Sequence, residues 1–549
     1  MNPMQHNPPD PDMIIVGGGL AGICAALAAT ENGASVHIIE RFHGGGSSAI
    51  SGGVIYAGGG TAPQIEAGYG DDTPENMYRY LRHEVGNAVD ERTLQRFCDE
   101  SVARMDWLRG YGVRFGGALC PFRTSYPTDE YSLYFSGNEK AGPFVEDAKP
   151  APRGHRAVGV GMTGEVIWRA LFDSALRLGV RFEPASKVEQ LLLDNTGRVK
   201  GVRYRALENT TWRFAIHKAL TWIAASCHQM SINALGGWLD RQAHGIWDRE
   251  AKNRTLNANA VILAAGGFAM NRSMMEQYFP WASRVAPLGT AGDDGSGIHL
   301  GQTADGSVSH MDRISTWRLL YPPEALLEGI VISTEGKRIA AEDLYGASLS
   351  DVMTTEFDGR AYLILDSVQR AKAISQIKEQ TQIPWRIFIV YLIYWAYKTA
   401  GSLDRLAQKL GVNPEAMKTT INTYNNAIIH SKSDSVGKLG FRSIISEGPF
   451  YGFDISLSPS GLLVSPALPL GGLRVDGESG IVFNEKGEKI EGLYAAGKNA
   501  VGVSSNRYVS GLALADCVFS GKRAGEHAAK AKVVSKPLFK TSQLFQSSD

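Results

Sequence analysis

The sequence predicts an α/β protein in which both ends of the chain build one sheet domain and a second domain is inserted between them. Three apolar runs that lead into glycines carry this prediction, and they lie at Met13–Val16, Ala258–Phe268 and Gly492–Gly497. Short apolar runs bounded by glycines are typical of buried strands that end in tight turns. Because the third run lies far downstream of the other two, we expect one interrupted domain.

The first run begins a strand, turn and helix unit. The turn has the pattern Gly17-x-Gly19-x-x-Gly22, an alanine-rich helix follows, and a second strand, Ser35–Ile39, leads to Glu40. Glycines in such a turn let the backbone approach a pyrophosphate, which the helix N-terminus also attracts, and the acid can bind a ribose. The order of these elements predicts a dinucleotide site, with a purely structural glycine turn as the alternative.

A second tract rich in glycine and serine follows the acid, at Gly44–Gly53 and Gly58–Gly60. Such backbone suits contact along an extended flavin chain, and a simple nicotinamide-binding fold does not need it. We therefore predict a Rossmann-like domain that binds FAD. The residues predicted to contact FAD are Gly17, Gly19, Leu20, Ala21, Gly22, Glu40, Arg41, Gly45, Gly46, Ser47, Ser48, Ser51, Gly52, Gly53, Ala265, Gly266, Asp294, Gly497, Lys498, Asn499, Gly511, Leu512 and Ala513.

The length of 549 residues is too great for one compact core and predicts two domains. We expect residues 12–285 to form the first part of the FAD-binding domain, with an aromatic-rich insertion at 209–250. Residues 286–445 are then the inserted α+β catalytic domain, which includes a helical stretch at 402–431. Residues 446–530 return to the FAD-binding domain, and 531–549 form a flexible tail.

Composition excludes several classes of function. Lysine plus arginine and aspartate plus glutamate both number 56, so the charge balance gives no sign of nucleic-acid binding. The five cysteines lack the paired spacing of a disulfide framework or a zinc site, and no metal is expected. The first twelve residues lack the apolar core of a signal peptide, which favours a cytoplasmic location.

Two segments are unusually aromatic. Four tryptophans lie between Trp212 and Trp247, and residues 385–397 are almost wholly apolar. The second run is too short to span a bilayer, which takes about 20 apolar residues. Either segment could contact the membrane surface or form an apolar entrance through which a water-insoluble substrate reaches the active site. The alternative is a buried helix or a subunit contact.

Several motifs resemble those of the flavoproteins of the fumarate reductase and succinate dehydrogenase superfamily, and most closely its 3-ketosteroid dehydrogenase branch. The resemblance runs from about Asp12 to about Ala529. Its most specific parts are Leu133–Glu139, Pro152–Arg156, Gly289–Gly297, Gly336–Tyr345 and Ser505–Gly521. It implies an FAD-dependent dehydrogenase of the Δ4-(5α) type, which forms or reduces the 4,5 double bond of a 3-ketosteroid. The match does not extend to the pattern by which some relatives attach flavin to a histidine near His43, so we expect non-covalent FAD.

The resemblance also implies catalytic residues. Desaturation next to a ketone needs a base for the α-proton and hydrogen-bond donors for the ketone oxygen. The matching Tyr-x-Ser-Gly assigns Tyr508 and Ser510 to the ketone, with a structural tyrosine and a helix N-cap serine as the alternative. Tyr345 is the predicted base, with Tyr321 as its rival, and it serves as a base when neighbours lower its pKa.

Three other functions remain open. A cluster of Tyr126, Tyr131 and Tyr134 is compatible with a Δ1-dehydrogenase, which uses a tyrosine from its N-terminal part. A fumarate or urocanate reductase is disfavoured, because the sequence at Tyr345 reads Leu-Tyr-Gly where those relatives carry an arginine. The third is an electron-transfer subunit on a membrane partner. His155 is expected to be a satisfied structural histidine, and the electron acceptor is unknown.

Overall fold

The computed structural model describes residues 9–229, 232–318, 320–383 and 385–535. Most of the tail predicted at 531–549, and the first eight of the residues considered for a signal peptide, lie outside the described residues. Among the described helices, none has the length and apolar character needed to cross a bilayer. All five cysteines are buried and free.

The largest sheet joins the two ends of the chain. Its strands are β1 (Met13–Val16), β2 (Val36–Ile39), β3 (Arg181–Glu183), β4 (Ala260–Leu263), β5 (Ile481–Phe483) and β6 (Lys489–Ala495). Their order is β5-β6-β4-β1-β2-β3, and only the pair β5-β6 is antiparallel. The predicted α/β fold, a Rossmann-like domain built from both ends of the chain, is confirmed.

Helices α1 (Leu20–Glu31) and α2 (Leu512–Ser535) lie against this sheet and touch through their backbones. A Cβ atom on Gly521 would lie 2.3 Å from the carbonyl oxygen of Ala21, and one on Gly525 would lie 2.2 Å from that of Ala25. Glycine at these two positions lets the last helix pack tightly on the first. Other helices of this domain are Gly46–Ala49, Ala62–Glu66, Pro74–Val85, Glu91–Asp99, Ser101–Gly110, Phe144–Asp147, Gly164–Arg177, Arg272–Tyr278 and Ser296–Thr303.

Two small sheets complete the first part of the domain. One consists of Val54–Tyr56, Leu133–Tyr134 and Gly154–Arg156, and the other of Ser186–Leu193, Val199–Ala206 and Lys252–Asn257. The aromatic-rich insertion forms a pair of helices, Trp212–Gln229 and Asn233–Glu250, in the connection between the last two of these strands.

The inserted domain contains an antiparallel sheet in the order Ile330–Ile332, Tyr362–Leu365, Phe450–Asp454, Tyr397–Ala400. Strand Phe450–Asp454 lies beyond the predicted boundary at residue 445, yet it pairs with both Tyr362–Leu365 and Tyr397–Ala400, so the inserted domain extends past that boundary. Further along the chain, strand Pro466–Pro469 lies between Ala286–Pro287 and Ile314–Thr316 in another small sheet. The short strands Val308–Ser309 and Gly472–Leu473 form a separate antiparallel pair. The domain's helices are Gly346–Glu356, Ser367–Gln380, Arg386–Tyr394, Leu403–Leu410 and Pro414–Ile429.

The helical stretch predicted at 402–431 is two helices rather than one. The first ends at Gly411, which adopts a left-handed conformation with φ of +76°, and Asn413 caps the second through hydrogen bonds from the backbone of Glu415 and Ala416. A left-handed glycine is a common helix stop, and asparagine followed by proline is a common start.

Candidate active site

The glycine turn after β1 has no room for side chains. A Cβ on Gly17, whose φ is +105°, would lie 2.5 Å from the carbonyl oxygen of Ala264, and one on Gly22 would lie 2.0 Å from that of Gly17. Helix α1 begins after Gly19 without a side-chain cap and without an acid in its first turn. The first N–H groups of a helix have no partner within it, so this end is suited to a phosphate.

Glu40 lies directly beside this turn. One carboxylate oxygen accepts a hydrogen bond from the backbone N–H of Gly18 at 2.6 Å, and the other accepts one from Phe42 at 2.8 Å. Burial raises the pKa of Glu40. The structure thus holds the predicted ribose-binding acid in a fixed position next to the pyrophosphate turn.

The second glycine tract runs alongside the first turn. The N–H of Gly45 donates to the carbonyl of Gly18 at 3.1 Å, and the Ser48 hydroxyl accepts from the N–H of Leu20 at 3.3 Å. Trp168, which the sequence prediction omitted, donates from its indole nitrogen to the same Gly18 carbonyl at 2.9 Å. No local sequence motif marks this tryptophan, since it lies on a helix far along the chain.

A loop from a distant part of the chain reaches the same place. Arg41 forms an ion pair with Asp294, and the Ser47 hydroxyl hydrogen-bonds Asp293. Asp293 also accepts from the N–H of Gly267 at 3.0 Å and lies 3.9 Å from the Lys498 ammonium. Asp293 therefore lies among the predicted cofactor residues, although the prediction included only its neighbour Asp294.

The C-terminal segment completes the site. Asn499 accepts a hydrogen bond from the backbone N–H of Ala265, and the carbonyl of Gly511 accepts one from Tyr56 at 3.1 Å. At the end of the second glycine tract, the carbonyl of Gly52 accepts a hydrogen bond from the Tyr126 hydroxyl at 2.8 Å. Predicted cofactor residues such as Gly17 and Asn499 therefore lie where β1, β4 and β6 end, Gly511 lies beside strand Val54–Tyr56, and the uncapped helix and glycine-lined turn fit the diphosphate of FAD.

The predicted catalytic residues meet on one side of this site. The Ser510 hydroxyl hydrogen-bonds the Tyr134 hydroxyl at 2.9 Å, and Ser510 also lies near enough to Tyr345 to affect the pKa of its phenol. The rings of Tyr345 and Tyr508 are nearly parallel, with centroids 6.4 Å apart, and Tyr508 packs against Trp317 at 4.6 Å. We refer to Tyr134, Tyr345, Tyr508 and Ser510 as the tyrosine cluster.

The segment that follows Tyr134 holds the cluster in place through hydrogen bonds to the backbone of Ser510 and Tyr345. The Ser136 hydroxyl donates to the carbonyl of Ser510 at 3.0 Å, and the Asn138 side chain accepts from the N–H of Tyr345 at 2.7 Å. Helix α2 begins at Leu512, and the Ser510 side chain is engaged with Tyr134. These contacts favour the functional interpretation of Ser510 over that of a helix cap.

The electrostatics of the cluster differ from the expectation. Burial raises the pKa of Tyr345 well above its usual range, and nearby Tyr508 and Tyr134 raise it further, although the Ser510 hydroxyl partly offsets this. Burial also raises the pKa of Tyr508. The condition under which Tyr345 would act as a base, a pKa lowered by its neighbours, is therefore not met in this structure, because the cluster is buried among phenols.

Tyr321, the rival base, lies close by but in different surroundings. It is fully buried, and the guanidinium carbon of Arg123 lies 5.5 Å from its ring centroid. Arg123 donates to the carbonyls of Gly137 at 2.6 Å and Asp343 at 3.3 Å. Because the ring of Tyr345 lies beside that of Tyr508, whereas Tyr321 faces Arg123, the geometry favours Tyr345 as the reacting tyrosine.

His155 has a hydrogen-bond partner at each ring nitrogen, namely the Thr61 hydroxyl at 2.7 Å and the carbonyl of Arg153 at 3.0 Å. Burial lowers the pKa of His155 to about 4, so the ring is neutral. These contacts agree with the expected structural role, although the residue lies in strand Gly154–Arg156 rather than in a loop.

Comparisons with known proteins agree with this geometry. A family model described as FAD binding domain matches residues 12–514. The chain belongs to this family of FAD-binding flavoproteins, and it is an FAD-dependent oxidoreductase. A 3-oxo-5-alpha-steroid 4-dehydrogenase of Comamonas testosteroni is 34% identical over 497 residues, which cover 88% of this chain and 92% of that protein.

Solved structures give the same result. The 3-ketosteroid-Δ4-(5α)-dehydrogenase of Rhodococcus jostii RHA1, solved with 4-androstene-3,17-dione, aligns with a TM-score of 0.78 and 28% identity, covering 94% of this chain and 96% of that one. The 3-ketosteroid Δ1-dehydrogenase of Sterolibacterium denitrificans aligns with a TM-score of 0.64 at 18% identity, covering 95% and 99%. The predicted membership of the steroid dehydrogenase branch is confirmed.

Proposed function

We propose that this protein is an FAD-dependent 3-ketosteroid dehydrogenase that forms, or in reverse reduces, the double bond between carbons 4 and 5. The observation that carries the proposal is the tyrosine cluster, in which Ser510 hydrogen-bonds Tyr134 and the ring of Tyr345 lies nearly parallel to that of Tyr508. Three phenols and one serine hydroxyl next to a flavin site can supply both the proton transfer and the hydrogen bonds that ketone chemistry needs.

Tyr508 and Ser510 donate hydrogen bonds to the ketone oxygen at carbon 3. In the oxidative direction the phenolate of Tyr345 removes the proton from carbon 4, and the ketone oxygen takes up negative charge as the C–H bond breaks. When bound, FAD supplies the acceptor for the hydride that leaves carbon 5. The electron pair of the broken C4–H bond then becomes the 4,5 double bond.

The raised pKa of Tyr345 bears on whether the protein reduces the double bond or forms it. A phenol that keeps its proton at neutral pH can give it to carbon 4 when the double bond is reduced, whereas it must lose that proton before it can act in desaturation. Tyr345 with its raised pKa can therefore donate a proton when the double bond is reduced, whereas desaturation requires that Tyr345 first lose its proton.

The proposal is tested by mixing the FAD-loaded protein anaerobically with 5α-androstane-3,17-dione. We expect the oxidised flavin band near about 450 nm to bleach, and a 4-ene product to be identified by mass spectrometry and NMR. A 1-ene product would make the protein a Δ1-dehydrogenase instead. If neither this steroid nor its 4-ene partner changes the flavin spectrum, the steroid function is wrong and carboxylate acceptors become the substrates to test.

We also propose that the protein is cytoplasmic and touches the membrane surface through helix Arg386–Tyr394. Ile387 is 63% exposed and Trp395 is 67% exposed, and only Leu392 and Ile393 of this helix are buried. An apolar surface helix flanked by tryptophan is typical of interfacial contact, and a sterol substrate partitions into the same layer.

Cosedimentation with phosphatidylcholine vesicles tests this contact. Ile387→Asp should reduce the bound fraction several-fold, because it places a charge on the apolar face. Ile429→Asp is the control, since Ile429 is an equally exposed isoleucine on a different helix. Equal binding by both variants, or no binding by the unmodified protein, would contradict the proposal. The external electron acceptor is a separate question, which dye-linked assays with quinones and artificial acceptors address.

A further inference from the structure

The helix pair Trp212–Gln229 and Asn233–Glu250 has no part in the chemistry above. It is an insertion between two adjacent strands, since Ala206 pairs with Lys252 in the register of Val199–Ala206 and Lys252–Asn257. We call these two helices the helical hairpin. Because the strands pair up to the point of insertion, the sheet does not need the hairpin in order to close.

The hairpin is fixed to the turn that follows Glu40. Trp247 donates from its indole nitrogen to the carbonyl of Ala185 at 3.0 Å, and the N–H of Ala185 in turn donates to the carbonyl of Phe42 at 2.7 Å. The ring of Phe214 meets His43 edge-on at 5.3 Å. Contacts from both helices therefore hold the hairpin over residues 41–43.

A cavity of about 190 Å³ lies between the hairpin and that turn. Arg41 and Phe42 line one wall, and His217, Arg241 and His244 of the hairpin line the opposite one. Pockets for a whole drug-sized ligand measure roughly 300–1,000 Å³, so this space suits one end of an extended molecule.

The walls of the cavity carry unused hydrogen-bonding capacity. His217 is 2% exposed, and its Nδ1 has no hydrogen-bond partner within the described part of the chain. Nε2 of His43, which lies against the hairpin, is likewise unpartnered among the described residues. Unpaired buried polar atoms are costly, so a polar ligand that meets His217 would stabilise the site.

The position of the cavity identifies that ligand. In a dinucleotide fold the acid after the second strand binds the ribose of the adenosine half, and here that acid is Glu40, next to Arg41. Arg41 itself is joined to Asp294, a residue of the predicted FAD site. The cavity therefore continues from the place where the adenosine of FAD is expected, away from the tyrosine cluster.

We propose that the helical hairpin closes over the adenosine half of FAD, with His217 and Arg241 as its contacts. It acts as a clamp that raises affinity for the cofactor without taking part in the reaction. The proposal concerns only FAD binding, so it stands or falls independently of the steroid assignment.

The test compares FAD and ADP binding to the apoprotein. In Arg241→Ala and in His217→Phe, the dissociation constants for FAD and ADP should each rise about tenfold, the size expected for losing one hydrogen bond in a buried or charged setting. The matched control is Arg249→Ala, which removes an exposed arginine of the same helix that does not line the cavity. The flavin midpoint potential of the FAD-loaded variants should stay unchanged, because the clamp lies away from the flavin ring.

A further variant removes residues 208–250 and joins the strands with a short glycine-containing turn. It should bind FAD more weakly than either point variant while the apoprotein melts at the same temperature as the similarly treated Arg249→Ala protein. FAD and ADP affinities that match the control in both point variants would overturn the proposal. A shift in the flavin midpoint potential with unchanged ADP binding would also overturn it, because the hairpin would then act on the ring.

Discussion

The cofactor site and the tyrosine cluster are neighbours, but they are built in different ways. The cofactor site relies on backbone: Gly17 and Gly22 admit no Cβ, and Gly45 bonds to Gly18 through main-chain atoms. The tyrosine cluster relies on side chains from three separate segments: the Tyr134 and Ser510 hydroxyls hydrogen-bond each other, and the ring of Tyr345 lies beside that of Tyr508. Backbone sites tolerate few substitutions and leave a local motif, whereas a side-chain cluster assembled from separate segments leaves a motif for only part of its residues.

The largest effect on activity is expected at Tyr345. Tyr345→Phe removes the proton-transferring hydroxyl but keeps the ring, so kcat should fall about 10²–10⁴-fold while FAD remains bound. Tyr321→Phe is the control, and it should retain activity within a few-fold. Steady-state kinetics with flavin content measured in parallel checks both. If Tyr321→Phe is the inactive variant, the two tyrosines exchange roles.

The pH dependence adds a second test of the same residue. Burial raises the pKa of Tyr345, so the phenolate needed for desaturation is scarce at neutral pH. The desaturation kcat/KM of the unmodified protein should therefore rise with pH through the alkaline range, and the residual activity of Tyr345→Phe should lack that rise. Desaturation that falls with increasing pH would contradict this assignment.

Substitutions of Ser510 and Tyr134 should lower kcat by different amounts. Ser510→Ala removes a donor to the ketone oxygen and should lower kcat about 10²-fold, near the lower end for a lost oxyanion donor. Tyr134→Phe only removes the partner of Ser510 and should cost about tenfold. Single-turnover flavin reduction measures both. If Tyr134→Phe is the more damaging, then Tyr134 meets the substrate itself.

On the cofactor side, Gly22→Ala should act through the backbone. Its Cβ would lie 2.0 Å from the carbonyl oxygen of Gly17, so the turn must open. We expect FAD affinity to fall at least about tenfold, with activity partly restored by added FAD, as measured by flavin fluorescence. Gly33→Ala is the control, because a Cβ there meets nothing within 4 Å, although its φ of +78° costs some stability. Normal FAD affinity in Gly22→Ala would show that the turn is less constrained than its geometry indicates.

The smallest effect on activity is expected at His155, where the change is in stability. Its pKa is about 4 in the folded protein, below the value of about 6.5 for an exposed histidine. The unfolded chain therefore binds more protons between these values, so stability is full above about pH 6.5 and falls by up to about 3 kcal/mol as the pH drops to 4. Denaturant unfolding of His155→Gln should show a flatter dependence on pH, and an unchanged slope would contradict this account.

The sequence by itself determined the cofactor domain. The glycine pattern, the acid at Glu40 and the strands at both ends of the chain are local features, because phosphate binding and tight turns constrain nearby residues directly. They were sufficient for the fold and for most residues that converge on the cofactor site. Tyr508 and Ser510 were predicted from the resemblance to the dehydrogenases, since they belong to one contiguous motif.

Only the tertiary structure decided the rest. It brought Asp293 and Trp168 to the glycine turns, joined Tyr134 to Ser510, and assigned strand Phe450–Asp454 to the inserted domain. It also determined that the pKa of Tyr345 is raised, because burial among phenols disfavours the phenolate. Long-range pairing and desolvation depend on which segments meet in space, and no window of the sequence contains that information.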